Sequence, residues 1–223
     1  LFIEILILSD AENRDIPVLK MAPLIHLVGP SGTGKSTVHK KIVSQLRREQ
    51  WTVEEIVEPG LLRDFIKEYR LRDDKDPWTE AALFSADRTI THYTSILPYI
   101  DKKDLIFVFA RSFFDTFVYQ GLFGGVDLES IRKMNASIPL PDLALVYVVD
   151  GTVAYQRLVQ RNTETGERLS NNETSEKINV LSSYYKTLPR FFPKTNMHLI
   201  DTTFLNPEET FQQSYAYIKD ILQ

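Results

Sequence analysis

Gly29-Pro30-Ser31-Gly32-Thr33-Gly34-Lys35-Ser36 fits the pattern G-x-x-x-x-G-K-[ST] at every fixed position. Gly29, Gly32 and Gly34 allow a tight backbone path that brings main-chain N–H groups close to phosphate oxygens. Lys35 can reach the outer phosphates, and the Ser36 hydroxyl can ligate Mg²⁺. Pro30, Ser31, Thr33 and Thr37 complete this candidate nucleotide site. Other candidates stand further along the chain. Phe84 and Arg88 are four residues apart, which puts an aromatic ring and a guanidinium on one helix face. Arg111 directly follows an apolar run, where an arginine is well placed for bidentate phosphate contact.

The loop needs a strand before it and a helix after it to aim N–H groups at phosphates. Leu24–Val28 is a short apolar run, and Val38, Ile42, Val43 and Leu46 recur at helical spacing in a helix expected from Lys35 to Gln50. Further strands are expected at Val53–Val57, Leu105–Phe109, Leu143–Val149 and Met197–Ile200. Helices are expected at Leu61–Leu71, Trp78–Tyr93 (reaching as far as Ile96), Ser112–Leu122, Asp127–Ala136, Thr174–Leu188 and Pro207–Leu222. One more runs from a cap at Thr152 to Arg161, and polar Asn162–Asn172 reads as a mobile loop. Strands alternating with helices predict a three-layer α/β/α P-loop NTPase fold around a mainly parallel five-stranded sheet. Ligands then bind outside the carboxyl ends of the strands.

A length of 223 residues suits one domain, assigned to residues 21–223. Met21 would be a natural start, so residues 1–20 read either as an N-terminal extension with no part in the fold or as an extra element. The apolar run Leu1–Leu8 is interrupted by Glu4, too short to span a bilayer, and lacks the basic flank of a signal peptide. A net charge of −4 gives no reason to expect a nucleic-acid surface, and no membrane partner is expected. The absence of cysteine excludes disulfides and thiolate metal sites and suits a reducing, cytoplasmic setting.

Beyond the loop, Glu58-Pro59-Gly60, Leu83-Phe84-Ser85-Ala86-Asp87-Arg88, Arg111 with Tyr119-Gln120-Gly121, Pro141-Asp142-Leu143 and Ile200-Asp201 with Pro207-Glu208-Glu209 follow one another in a characteristic order. In that order and spacing the chain resembles the thymidylate kinases over about residues 22–223. The resemblance implies transfer of the ATP γ-phosphoryl group to dTMP, with Mg²⁺, in a homodimer. It implies that Phe84 stacks on the thymine ring and Arg88 donates to a thymine carbonyl. It implies that Arg111 grips the acceptor phosphate, Thr116 reads the base edge and Tyr119 crowds the ribose 2′ position. Glu58 and Gln120 join them on the acceptor side, with Lys67, or its rival Arg70, as a phosphate-binding base. Thr202 and Thr203 fall where the adenine edge is contacted. The resemblance implies a short lid at residues 161–172; the phosphate loop has no arginine, so a lid arginine is implied as catalytic, from Arg157, Arg161 and Arg168.

The chain also departs from the family. Ser31 stands where an acid usually holds the substrate 3′-hydroxyl, and Val57 replaces the arginine before Glu-Pro-Gly. Ala110 replaces the aspartate that helps to place Mg²⁺ and its waters, leaving Glu58 and Asp115 as the nearest acids. Two further readings stay open. One is a kinase of the same fold acting on another nucleotide or small phosphorylated metabolite. The other is a nucleotide-binding protein with weakened transfer activity.

Overall fold

In the computed structural model, which describes residues 21–166, 169–170 and 172–223, five parallel strands form one sheet in the order β2-β3-β1-β4-β5. They are β1 (Leu24–Val28), β2 (Thr52–Val57), β3 (Leu105–Ala110), β4 (Leu143–Val148) and β5 (Met197–Asp201). The helices are α1 (Lys35–Arg48), α2 (Arg63–Arg70), α3 (Pro77–Thr91), α4 (Phe113–Thr116), α5 (Leu128–Met134), α6 (Gly151–Thr165), α7 (Ser175–Phe191) and α8 (Pro207–Leu222). The expected fold is therefore the observed one. Residues 1–20 lie outside the described residues, so the expected extension has no structural account.

The central strands β1 and β4 are buried throughout and almost wholly apolar because helices cover both their faces. Ile25 and Leu27 of β1 face α1 and α8 with Ile42, Leu46, Phe211 and Ile218. Val28 joins Phe114, Phe117, Leu181 and Tyr185 on the other face. Burying one such side chain stabilises the fold by about 1.5–3 kcal/mol. His26 of β1 behaves as one more aromatic, its ring centroid 4.2 Å from that of Phe109. Burial, and then the charge of Arg88, lower its pKa to about 3 and keep it neutral.

Several boundaries differ from the sequence reading. The helix after β4 is capped by Asp150, not Thr152: the Asp150 carboxylate accepts from the N–H groups of Thr152 and Val153. It also runs to Thr165, so the lid begins on a helix rather than as a loop from Asn162. The expected helix at Ser112–Leu122 is one α-helical turn, boxed by Ser112 and Asp115, followed by π-helical turns over Phe117–Phe123. The long helix after Pro77 likewise passes into a π-helical turn at His92–Ile96. Periodicity at 3.6 residues cannot register the extra residue that each π turn holds.

Removing the observed cap should matter and removing the expected one should not. Asp150→Ala is expected to lower unfolding stability by about 1 kcal/mol, and Thr152→Ala by less than about 0.5 kcal/mol. Urea midpoints at an unchanged slope would check both.

Candidate active site

The phosphate loop needs its glycines for steric reasons specific to this fold. Gly29 has φ +142°, and a Cβ there would sit 2.2 Å from the Tyr147 carbonyl oxygen of β4. Gly32 has φ +81° and packs so closely on α6 that a Cβ would lie 2.7 Å from that of Ala154. Gly34 begins α1 in the left-handed region without a side-chain cap, so no side chain takes the first N–H groups of the helix. Lys35 curls over the loop: its Nζ donates to the carbonyl oxygens of Gly29 and Pro30, the latter at 2.7 Å. Burial and then the nearby Arg111 lower its pKa to about 7, with Asp115 pulling the other way.

Two clefts open here. One, of about 520 Å³, is lined by Gly32–His39 of the loop and α1 together with Ala110, Arg157, Arg161 and Thr210. The other, of about 640 Å³, holds Glu58, Arg63, Arg70, Glu80, Phe84, Arg88, Asp115, Thr116, Tyr119, Gln120 and Glu173. Ser31, Val57 and Arg111 line both, so the clefts meet at Arg111. Arg111 has φ +81°, an uncommon conformation for a side chain other than glycine and one that tends to mark functional sites.

The second cleft is organised by Arg88, which is only 3 % exposed rather than solvated. Its Nε and Nη2 grip Glu58, the shortest contact being 2.6 Å. Nη2 also donates to Thr116 Oγ1 at 3.2 Å, and Nη1 donates to Asn135 Oδ1. Four of the five N–H groups are thereby engaged, leaving one on Nη1 for a ligand. Burial pushes the Glu58 carboxyl up, and the pairing with Arg88 draws it back. Asn135, which lies in none of the motifs, completes the arrangement by donating to Ser85 Oγ at 2.8 Å. Tyr119 lines the cleft beside Arg111, and burial raises its phenol to about 12.

Other candidates fall as follows. Arg70 and Arg63 line the second cleft, whereas Lys67 is exposed and does not. Glu58 is committed to Arg88 through both oxygens. Asp115, the other acid near the loop, accepts from Ser112 N at 2.8 Å, from Tyr185 Oη and from Gly29 N at 3.4 Å. Arg157 lies on α6 and not in the lid; it donates to the carbonyl oxygens of Thr202 at 2.8 Å, Leu205 and Gly32. Thr202 is buried behind it, and Thr203 bonds Asp201 and Asp150 N. Arg161 lines the first cleft and pairs with Glu173 of the second at 3.8 Å. Arg168 lies outside the described residues. Asp87 has a structural task, accepting from Gly60 N and Leu62 N ahead of α2. Among the described residues no group of three or more His, Asp or Glu could hold a metal, and no helix is long and apolar enough to cross a membrane.

Such a pair of clefts can bind two phosphorylated molecules with their phosphates converging on one arginine. Anionic phosphates favour the charged ammonium, so binding raises the Lys35 pKa from its value of about 7. Affinity for ATP is then expected to be full below pH 7 and to fall above it, by up to about tenfold per pH unit. Titration calorimetry at pH 8 in buffers of different ionisation enthalpy should show proton uptake, which Lys35→Ala abolishes.

The sequence pattern of the family described as Thymidylate kinase matches residues 28–214. A thymidylate kinase of Staphylococcus epidermidis is 30% identical over 209 residues, covering 89% of this chain and 100% of the relative. A probable thymidylate kinase of Pyrobaculum aerophilum is 33% identical over 138 residues, covering 61% of this chain and 70% of the relative. The crystal structure of a thymidylate kinase from Ehrlichia chaffeensis shares the fold with a TM-score of 0.66 at 20% identity, covering 89% of this chain and 98% of that one.

Proposed function

This chain belongs to the thymidylate kinase family, and from that premise we propose that it transfers the γ-phosphoryl group of ATP to dTMP, giving dTDP and ADP. The observation that carries the proposal is the meeting of the two clefts at Arg111. ATP phosphates lie in the loop against Lys35 and the start of α1, and its adenine lies toward Arg157 and Thr202. The Ser36 hydroxyl lines this cleft and, with phosphate oxygens, makes an all-oxygen donor set that suits Mg²⁺. When bound, the ion offsets charge on the β- and γ-oxygens. Arg111 and Arg70 hold the acceptor phosphate, with Arg63 beside them. Phe84 stacks on the base, the remaining N–H of Arg88 meets a base carbonyl, and Tyr119 fills the space a 2′-hydroxyl would need. The acceptor phosphate is largely ionised near neutral pH and needs no general base. Arg161 and Arg168 act from the lid on the equatorial oxygens in the transition state. A cytoplasmic homodimer belongs to the same proposal.

Ser31 and Ala110 favour one variation, slower transfer than a full acidic set would support, because neither Glu58 nor Asp115 has an uncommitted carboxylate.

The test is ADP formation with ATP and Mg²⁺ against dTMP, dUMP, dCMP, AMP and GMP. dTMP is expected to be the best acceptor, and a preference for a purine would point to the other-acceptor reading. Stacking on an aromatic is worth about 1–3 kcal/mol, so Phe84→Ala should raise KM for dTMP roughly tenfold or more and leave KM for ATP unchanged. Arg161→Ala should lower kcat more than it raises either KM, and a pure KM effect would confine it to holding substrate.

A further inference from the structure

One acid in the acceptor cleft has no part in that reading. Glu80 lies on α3 one turn before Phe84 and two before Arg88, and all three line the cleft. Facing this row are Thr116 and Gln120, again four residues apart. The two rows are joined by two cross-pairs. At one end Arg88 Nη2 donates to Thr116 Oγ1 at 3.2 Å, and at the other Gln120 Nε2 donates to Glu80 Oε2 at 2.8 Å. The Glu80 side chain is 14% exposed, and its second oxygen lies 3.7 Å from Arg70 Nε.

An ionised carboxylate only accepts hydrogen bonds. Glu80 therefore permits one orientation of the Gln120 amide, with its NH₂ toward Glu80 and its carbonyl oxygen turned away. That oxygen receives no donor among the described residues. The cleft thus presents hydrogen-bond donors at the Arg88–Thr116 end and an acceptor at the Gln120 end, with the Phe84 ring between. A pyrimidine imide carries the complement, a carbonyl beside a ring N–H. Cytosine presents an amine and a bare ring nitrogen on the same edge, which would set acceptor against acceptor and donor against donor.

We propose that Glu80 is a positioning residue that locks the Gln120 carbonyl as the reader of an imide N–H, and so selects thymine and uracil nucleotides over cytosine nucleotides. This rests on the acceptor-site reading given above.

The experiment compares kcat/KM for dTMP, dUMP and dCMP in the unaltered enzyme, in Glu80→Gln and in the double variant Glu80→Gln with Gln120→Glu. An amide at position 80 can donate as well as accept, so the Gln120 amide is free to turn over. The dTMP-to-dCMP ratio is then expected to fall at least about tenfold through the acceptor KM, with KM for ATP unmoved. The double variant restores an obligate acceptor at position 120 and should return the ratio toward its original value. A ratio unmoved by Glu80→Gln, or a loss uniform across the three nucleotides and not rescued by the exchange, overturns the inference. An unaltered enzyme that phosphorylates neither dTMP nor dUMP overturns the acceptor reading itself, and this inference with it.

Discussion

The buried ion pair between Glu58 and Arg88 is the interaction on which the acceptor side depends. Glu58 follows β2, Arg88 lies on α3, Thr116 ends α4, and Asn135 follows α5. One guanidinium ties these four segments together. Taking two charges out of water is costly, and the arrangement holds because hydrogen bonds satisfy nearly every donor and both carboxylate oxygens. With the pair in place, Phe84 sits one turn away on the same helix, and the segments that floor the cleft are tied together by side-chain hydrogen bonds of the protein itself. The same economy explains why Glu58 does not replace the aspartate missing at Ala110: its oxygens are already spoken for.

A second junction serves the phosphate side. Asp115 joins the turn at Ser112, the hydroxyl of Tyr185 on α7 and the first N–H of the phosphate loop. It lies near both Lys35 and Arg111, and its charge partly offsets theirs. Arg157 does similar work from α6, bridging the loop carbonyl of Gly32 to the chain after β5. The loop is thus held from several sides, which suits a site that must bind a flexible triphosphate in one geometry.

Much of this was legible in the sequence. The strand–loop–helix of residues 24–48 carries its own signal, since glycine spacing and apolar periodicity agree there. The pairing of Phe84 with Arg88 also follows from helical geometry alone. What was not legible depends on tertiary contacts. Lys67 and Arg70 share a basic helix, and only the packing of α2 against the cleft separates them. Asn135 and Glu80 belong to no motif, and their importance comes from partners 47 and 40 residues away. Arg157 is separated from the other candidate arginines only by its partners, the carbonyl oxygens of Gly32, Thr202 and Leu205, which the sequence does not show. Asp150, as a cap two residues before Thr152, could have been found from the chain, because aspartate is at least as good an N-cap as threonine.

The π-helical stretch at Phe117–Phe123 bears on how this site can change over evolutionary time. Such a stretch accommodates one residue more than α-helical winding would. Deleting a single residue there would let the segment rewind as an ordinary α-helix with its ends still in place. Residues inside the stretch would then turn about the helix axis, while those beyond its two ends would keep their faces. Tyr119 and Gln120 would leave the cleft while Thr116, anchored by Arg88, stayed. The stretch is a phase shifter: the length of one helix, rather than the identity of any side chain on it, sets which residues face the acceptor. Relatives with a different count of residues between Arg111 and Gly121 would present a different set of side chains on an unchanged scaffold.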